Sequence, residues 1–364
     1  MFGFGKNTFL GIDIGTSTIK MVELKLTGNK PYLVNYARMH LDSLMGERDL
    51  KPSSFEVSLP EYLKRMLKEA NIKSKNAYMS IPAFGGLITL IEFPDMVRED
   101  LDQAIKFEAH KYIPTSLDEI ALSWDIVSKK GVSKLMAGPA QKDNTKIDPE
   151  GKIQVLLVAA PKNKVEKYER LASTIGLELK TIEIESFSMV RALVGNDQGN
   201  FIIVDMGSRI CNIILVEKGV VKVNRNIDAG GREITRMIAQ SMDIEEARAE
   251  KLKLSNKKFL DSESSITFPT LDFVVGEINR VISAFYKEEG NSKVDAVILS
   301  GGTANLQGLT EYFSNALQIK TVVGNPFSRI EYDQRLVGSL KELGPQFSVC
   351  IGLALKGVEE ASKR

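Results

Sequence analysis

One short pattern occurs twice in the sequence, and this repetition is the strongest constraint on the fold. The first copy reads FLGIDIGTSTIKMVEL from Phe9, and the second reads FIIVDMGSRICNIILV from Phe201. Each copy has an apolar run, an aspartate, one residue, a glycine and a small hydroxyl residue, and then a second apolar run. Aspartate and glycine favour tight turns between apolar strands. The repetition therefore predicts two β-hairpins, one in each lobe of a duplicated fold.

The two copies align from their aspartates. Matching Asp13 with Asp205 superposes the glycines and the hydroxyl residues of the two turns. The apolar residues that follow, Ile19 and Ile210, align if one residue is dropped. The predicted strands of the hairpins are Phe9–Ile14, Ile19–Lys25, Phe201–Met206 and Cys211–Glu217.

Both predicted turns carry groups that suit a polyphosphate ligand. Glycine lets the backbone approach a ligand, N–H groups and hydroxyls bind phosphate oxygens, and an aspartate at a strand end binds hydrated Mg²⁺. A single D-x-G-[ST] pattern is also an ordinary turn sequence. Two copies in matched strand–turn–strand context favour the ligand-binding interpretation, with one hairpin on each side of the phosphates.

Three further motifs agree with a nucleotide ligand but are weak by themselves. In VDAVILSGGTANLQGL, a buried strand over Ala296–Leu299 leads into Gly301 and Gly302 and then a helix, without the lysine of a Walker motif. Gly230 and Gly231 precede another helix. In the helix after that one, the spacing of Glu250 and Lys253 alone predicts an exposed i, i+3 ion pair.

Composition excludes several classes of protein. The chain has 364 residues with 43% hydrophobic content and a formal net charge of +1, so no overall charge attracts nucleic acid or an anionic membrane. Its two cysteines, Cys211 and Cys350, are far apart, and His40 and His110 lack neighbours at metal-ligand spacing, which favours a reducing cytosol without a zinc site. No apolar run approaches the roughly 20 residues of a membrane span. The expected protein is cytoplasmic and reaches a membrane only through a partner.

Together these motifs resemble the actin-like ATPase superfamily. The resemblance rests on the two hairpins, an A-E-x-x-K helix at residues 249–253, the L-S-G-G-x-A-x-L-x-G-L stretch and the C-terminal SVCIGLAL, which follow the superfamily's order across nearly the whole chain. It implies an α/β protein with an actin-like (ribonuclease H-like) two-lobed fold and an inserted FtsA-type subdomain in the first lobe. It also implies ATP and Mg²⁺ as cofactors, with Mg²⁺ bound through water by Asp13 and Asp205.

The resemblance assigns further residues to the nucleotide site. The first phosphate-binding segment is Asp13, Gly15, Thr16, Ser17 and Lys20, and the second is Asp205, Gly207 and Ser208. The ribose side is formed by Glu250 and Lys253, next to Gly230 and Gly231, whereas Gly301, Gly302 and Asn305 border the adenosine. Glu185 matches the place where FtsA-like proteins carry a glutamate and is the catalytic candidate. A charge favoured at a helix N-terminus is an equally good interpretation of Glu185, so hydrolysis stays open while ATP binding is expected.

The segment from about 84 to 181 narrows the resemblance to one family. It is predicted as strand, helix, strand, strand and helix, with a polar loop at residues 129–151. The first helix has an apolar stripe, which consists of Leu101, Ala104, Ile105, Ala109 and Tyr112, and is stopped by Pro114. This arrangement resembles the PilM family of type IV pilus assembly proteins and, more distantly, FtsA. The sequence segments that carry the resemblance are FEAHKYIP, VAAPK, IEIESFSMVRAL and NPF.

The PilM resemblance implies a scaffold. Such proteins bind ATP and hold the cytoplasmic N-terminal peptide of a PilN-like membrane protein in a groove between the first large subdomain and the insert. This places them at the cytoplasmic face of the inner membrane, towards the pilus motor ATPase components. The segment Ile81–Phe93 and the helix up to Ile113 are the expected groove, with the peptide held by backbone pairing and apolar pockets. For most of these residues, packing in the subdomain core is the simpler interpretation.

Four subdomains are expected. They are 1–83 with 182–199 and 340–364 (1A), 84–181 (1C), 200–232 with 291–339 (2A), and 233–290 (2B).

Two other functions remain as alternatives. One is an FtsA-like filament-forming ATPase, which leaves self-association open, although the C-terminal GLALKGVEEASKR is not an amphipathic membrane helix. The other is a sugar or acetate kinase, for which the Gly195-Asn196-Asp197 sequence offers a carboxylate base. A polar loop explains these three residues more economically.

Overall fold

A computed structural model describes residues 7–41, 52–94, 96–127, 152–255, 257–261, 266–289 and 292–363. The strands are β1 (Thr8–Ile14), β2 (Thr18–Thr27), β3 (Lys30–His40), β4 (Asn76–Ile81), β5 (Leu87–Pro94), β6 (Ile120–Val127), β7 (Lys152–Pro161), β8 (Glu178–Ile184), β9 (Asn200–Met206), β10 (Cys211–Glu217), β11 (Val220–Ile227), β12 (Ala296–Ser300) and β13 (Thr321–Val323). The predicted polar loop at 129–151 lies outside the described residues.

The α-helices are α1 (Pro52–Glu69), α2 (Arg98–Ala109), α3 (Lys162–Thr174), α4 (Glu185–Leu193), α5 (Gly231–Met242), α6 (Glu246–Lys253), α7 (Pro269–Glu289), α8 (Leu309–Leu317), α9 (Val337–Leu343) and α10 (Ser348–Ser362). Short 3-10 helices cover Ala83–Gly85, Leu117–Glu119, Pro326–Arg329, Gln334–Leu336 and Gly344–Phe347.

Two five-stranded sheets share one topology. The first sheet has the order β3-β2-β1-β4-β8, and the second has the order β11-β10-β9-β12-β13. In each sheet the first three strands are an antiparallel meander, and the last two add in parallel. The duplication that the two hairpins predict is therefore present in the whole sheets.

The two hairpins close in the same way, which corrects the predicted alignment. Ile14 pairs with Ile19 across the first hairpin, and Met206 pairs with Cys211 across the second. A backbone hydrogen bond of 3.0 Å closes each turn, from Gly15 to the Thr18 carbonyl and from Gly207 to the Ile210 carbonyl. Because the turns have equal length, no residue is dropped, and Ile19 matches Cys211. The alignment of Ile19 with Ile210 was wrong.

A third sheet of order β5-β7-β6 is antiparallel and carries α2 on one face. The predicted sequence of strand, helix, strand, strand and helix is confirmed by β5, α2, β6, β7 and α3. Leu101, Ile105 and Ala109 of the predicted stripe are buried. The helix ends at Ala109, so Tyr112 lies beyond it and is 43% exposed.

The division into subdomains stays a prediction. The sheet and the core to which β8 and α3 belong nevertheless indicate where the insert ends. β8 pairs in parallel with β4 of the first sheet. Leu171 and Ala172 of α3 belong to the same hydrophobic core as β1 and β2. These contacts favour an end of the insert near residue 161 rather than 181.

Helices α4 and α10 join the two large sheets in one hydrophobic core. This core contains Val22 of the first sheet, Ile214 of the second, Val190 of α4 and Leu353 of α10. The two helices cross so closely that a Cβ at Gly352 would lie 1.9 Å from the Ser188 carbonyl oxygen. This shared core packs together the two sheets whose strand ends carry Asp13 and Asp205.

Candidate functional site

At the end of β1, Asp13 forms an ion pair with Lys20. The Lys20 Nζ lies 2.9 Å from the Asp13 carboxylate, and the two side chains are 13% and 9% exposed. The two residues are cross-strand partners on β1 and β2, which puts their side chains on one face of the sheet. Burial alone lowers the pKa of Lys20, but the Asp13 carboxylate, assisted by Cys350 and Asp205, raises it above its usual value. Lys20 is therefore a cation fixed in the interior.

At the equivalent end of β9, Asp205 has no lysine of its own. Its cross-strand partner on β10 is Asn212, where the first hairpin has Lys20. Burial raises the pKa of Asp205 to about 6, and the Asp13 carboxylate adds to the rise, while Lys20 and a hydrogen bond from Ser300 oppose it. Asp13, Lys20 and Asp205 thus act on one another electrostatically across the two sheets.

Glu185 adds a third carboxylate to this group. It is the first residue of α4, as predicted, and its carboxylate accepts a hydrogen bond of 2.9 Å from the Ala83 N–H. Burial raises its pKa to about 8, and repulsion from Asp13 and Asp205 contributes, while the Ala83 bond and Lys20 lower it. The structure brings Asp13, Lys20, Asp205 and Glu185 together, with more acidic than basic groups.

The second hairpin turn is buttressed by the start of α5. Gly231 donates a backbone hydrogen bond of 2.9 Å to the Gly207 carbonyl, and Arg232 donates one of 2.8 Å to the Ser208 carbonyl. A Cβ at Gly230 would lie 2.5 Å from the Ser208 carbonyl oxygen, which leaves room for glycine alone. The structure therefore joins two motifs that are separate in the sequence.

Lys253 is buried, and the expected exposed ion pair was wrong for this residue. Its side chain is 6% exposed, against 45% for Glu250, and its Nζ lies 2.7 Å from the Glu250 carboxylate. The Nζ also donates to the Gly231 carbonyl (3.0 Å) and to the Thr235 hydroxyl oxygen (2.9 Å). Burial lowers the pKa of Lys253 although Glu250 opposes the shift. Packing of α5 against α6, which spacing does not reveal, buries the lysine.

The glycines after β12 have different surroundings. Gly301 has a left-handed backbone (φ +87°), and a Cβ there would lie 2.5 Å from the Met206 carbonyl oxygen. A Cβ at Gly302 would meet nothing within 4 Å. The Asn305 amide donates to the Glu342 carbonyl on α9. The absence of a side chain at Gly301 therefore lets the loop after β12 pack against the backbone of the second hairpin, and Gly302 borders open space.

Sequence reasoning missed Asn212. It is 2% exposed, its amide nitrogen donates to the Ser186 hydroxyl at 3.3 Å, and its Oδ1 has no hydrogen-bond partner among the described residues. The ungapped alignment would have found it, because Asn212 follows Asp205 by the same number of residues as Lys20 follows Asp13.

The carboxylate that the kinase alternative would use as its base, Asp197, takes part in a turn. Asp197 lies in the turn between α4 and β9, where its carboxylate accepts a hydrogen bond of 2.9 Å from the Gly199 N–H. This hydrogen bond agrees with the polar-loop interpretation, and the kinase alternative stays a prediction.

Within the described residues, no three His, Cys, Asp or Glu side chains group as ligands of one metal ion. The excess of carboxylates beside Asp13 nevertheless fits a cation held through water and by a ligand's phosphates, which is how Mg²⁺ commonly binds. In the described part of the chain, every helix is too short or too polar to cross a membrane.

Comparisons with known proteins agree on the fold. A PilM–PilN type IV pilus biogenesis complex matches with a TM-score of 0.75 and 23% identity over 96% of this chain and 98% of that chain. The ethanolamine utilization protein EutJ from Carboxydothermus hydrogenoformans matches with a TM-score of 0.53 and 17% identity over 96% and 89% of the two chains. The protein has an actin-like ATPase fold, so the predicted fold class is confirmed.

The family follows from the sequence comparison. The family model for type IV pilus assembly protein PilM matches residues 11–358, and the chain belongs to this family.

Cell division protein FtsA is a more distant relative. FtsA from Helicobacter pylori strain J99 is 24% identical over 238 residues, which are 55% of this chain and 46% of that protein. The match thus spans about half the length of this relative. FtsA from Staphylococcus epidermidis strain RP62A is 20% identical over 360 residues, which cover 87% of this chain and 74% of that protein.

Proposed function

We propose that the protein is an ATP-binding scaffold that holds the N-terminal peptide of a PilN-like membrane protein at the cytoplasmic face of the inner membrane. ATP and Mg²⁺ bind between the two hairpins, and the peptide binds where the first sheet meets the insert. Membership of the PilM family supports the scaffold role. The PilM–PilN complex that resembles this chain supports a PilN-like partner.

One observation carries the nucleotide part of the proposal: two turns of identical length and hydrogen bonding present Asp13, Lys20 and Asp205 to one another. Lys20 supplies positive charge for a phosphate, and the backbone of both turns supplies N–H donors. The carboxylates of Asp13 and Asp205 hold Mg²⁺ through water, and the ion offsets their repulsion of the phosphates. Gly302 leaves space for the adenosine.

Calorimetric titration with ATP and Mg²⁺ tests this part. We expect saturable binding and a rise in the thermal midpoint, because a ligand that binds only the folded state stabilises it. Asp205→Asn should weaken Mg²⁺-dependent binding by about 10-fold or more, as expected for removing a charged contact. Asp197→Asn, in the turn before β9, is the control and should bind normally. Saturation without Mg²⁺ at the same affinity would contradict the role of the two aspartates.

The peptide part rests on an exposed aromatic residue at the junction of the first and third sheets. Phe84 lies in the 3-10 helix between β4 and β5 and is 51% exposed. The Lys164 Nζ stands 5.9 Å from the centre of its ring. Phe84 precedes β5, which is an edge strand of the third sheet. An aromatic ring beside an edge strand suits an extended peptide, because the peptide can pair with the strand's backbone and fill apolar pockets. The junction lies within the segment that the sequence predicts.

Fluorescence anisotropy with the labelled N-terminal peptide of a PilN-like protein tests this part. Phe84→Ala should weaken binding by about 10-fold, as for a central aromatic contact. Phe273→Ala is a matched control, since Phe273 is 50% exposed but lies on α7 in the second lobe. Equal losses in the two variants, or no loss in Phe84→Ala, would move the peptide site elsewhere.

A further inference from the structure

A hydrogen bond connects the candidate nucleotide site to the entrance of the insert. The 3-10 helix Ala83–Gly85 joins β4 of the first sheet to β5 of the third. The Ala83 N–H donates to the Glu185 carboxylate at 2.9 Å, between residues that are 102 positions apart in the sequence. The residue that directly precedes the insert is therefore tied to a side chain of the candidate site.

The Glu185 carboxylate is poorly compensated where it lies. Burial, Asp13 and Asp205 all raise its pKa, and only the Ala83 bond and the more weakly acting Lys20 oppose them. No ion pair of Glu185 occurs among the described residues, in contrast to Asp13 with Lys20. With a pKa of about 8 this group is largely protonated at neutral pH. A cation that entered between the aspartates would favour its ionised form and attract it away from the neutral Ala83 N–H donor, because a charge-assisted contact is the stronger one.

The residues after Ala83 fit closely against the start of α4. A Cβ at Gly86 would lie 2.6 Å from the Cδ1 of Ile184 and 3.0 Å from the Ala159 carbonyl oxygen. Ile184 directly precedes Glu185, so both ends of the short segment 83–86 contact the same point of the fold. Phe84 projects from this segment. A movement at residue 185 thus reaches the surface that carries the exposed ring.

We propose that Glu185 is a positioning residue that couples the nucleotide site to the insert. When Mg²⁺ and nucleotide bind, the Glu185 carboxylate turns towards the cation and releases the Ala83 N–H, and segment 83–86 with Phe84 loosens. This inference rests on the proposed binding of ATP and Mg²⁺. By reciprocity, a peptide that prefers the loosened segment binds the nucleotide-loaded protein more tightly.

Hydrogen exchange of the full chain, followed by mass spectrometry with and without a non-hydrolysable ATP analogue and Mg²⁺, measures this coupling. In the wild type, exchange in a peptide over residues 82–86 should become at least about 5-fold faster with nucleotide, the lower end of typical couplings. The remaining strands should exchange more slowly, because a bound ligand stabilises the fold. A local increase against a general decrease is a result that simple stabilisation does not produce.

Two variants of Glu185 separate the charge from the hydrogen bond. Glu185→Gln keeps an acceptor for Ala83 but has no charge for the cation, so exchange at 82–86 should stay slow with or without nucleotide. Glu185→Ala removes the acceptor, and exchange there should be fast in both states. Glu169→Gln, on the exposed surface of α3, is the matched control and should respond like the wild type.

The outcomes distinguish this inference from the function on which it rests. If calorimetry gives no binding of the analogue, the proposed nucleotide site fails, and the coupling fails with it. If the analogue binds but exchange at 82–86 is unchanged or slower in the wild type, only the coupling is overturned. A nucleotide response in Glu185→Gln equal to that of the wild type would also overturn it.

Discussion

The two hairpins have the same backbone geometry but differ in the side chains at one row of cross-strand neighbours in each sheet. Such a row of paired residues is called a rung below. In the first sheet, Asp13 pairs with Lys20, which pairs with Arg38. In the second sheet, Asp205 pairs with Asn212, which pairs with Asn226. One lobe thus places cations beside its aspartate, and the other places amides there. The duplicated topology has kept the turn geometry while the chemistry of the two halves diverged.

The difference suggests a division of labour. The first lobe holds a buried cation, Lys20, and the side chain of Glu185 enters from α4 beside it. The second lobe supports its turn with the start of α5, through backbone hydrogen bonds at Gly207 and Ser208. Charge in the first lobe and backbone buttressing in the second are therefore separately testable.

The largest expected effect compares the pH responses of Glu185 and Asp205. The pKa of each carboxyl is higher in the folded state, about 8 for Glu185 and about 6 for Asp205, than its ordinary value of 4.5 or 3.8. The folded state therefore retains more protons, and stability falls as pH rises from the lower to the higher value. Without ligand, Glu185 should lower the free energy of unfolding of the wild type by on the order of 4 kcal/mol between pH 5 and 8. Glu185→Gln should abolish this decrease.

Asp205→Asn should abolish a smaller decrease in the free energy of unfolding, which is confined to pH 4 to 6. Urea titrations across this pH range measure both effects. If the free energy of unfolding depended on pH in the same way in the two variants, the larger pKa shift of Glu185 would be contradicted.

The second prediction removes the charge difference between the rungs. Lys20→Asn makes the first rung resemble the second and leaves Asp13 buried without its partner. We expect a loss of about 3 kcal/mol in the free energy of unfolding, since breaking a buried ion pair leaves an uncompensated charge. Binding of ATP should also be lost. A stability loss below that of Asn212→Ala would contradict the difference between the lobes.

The third prediction concerns buttressing of the second turn. Gly230→Ala should lower stability by about 2 kcal/mol, because its Cβ would meet the Ser208 backbone at 2.5 Å. Gly302→Ala is the control with open space around its Cβ, and it should change stability by less than about 0.5 kcal/mol. Chemical denaturation measures both. Equal effects would show that the α5 contact does not constrain the turn.

The smallest expected effect is that of Asn212→Ala. Asn212 donates one hydrogen bond to Ser186 and leaves its Oδ1 unpaired, so its removal should cost about 1 kcal/mol. The same denaturation measurement checks it. A loss as large as that for Lys20→Asn would mean that the amide rung is as important to the fold as the charged one.

Local patterns in the sequence predicted the hairpins well. The predicted first strand Phe201–Met206 differs from β9 by one residue, and Cys211–Glu217 agrees with β10. Apolar alternation and turn chemistry are local, and these strands depend on little else. The alignment with Ile210 failed because it weighed apolar identity above the equal length of the turns.

Contacts between distant segments were beyond local patterns. The burial of Lys253 depends on packing between α5 and α6, and the Ala83–Glu185 bond joins two segments through the fold of the whole first lobe. The pairing of β8 with β4 likewise depends on a parallel contact across the insert, which no nearby residue signals. The roles of the predicted nucleotide-site residues stay predictions.

The crossing of α10 over β1 constrains the order in which the chain acquires its structure on the ribosome. Gly11 of β1 is built to touch α10, since a Cβ there would lie 2.1 Å from the Cys350 carbonyl oxygen. Residues 348–362 leave the ribosome long after the first sheet has emerged, at a typical synthesis rate of about 5–20 residues per second. During that interval one apolar face of the first sheet lacks its cover. All strands of the second sheet, which end at Val323, are therefore synthesised before the helix that covers the first sheet.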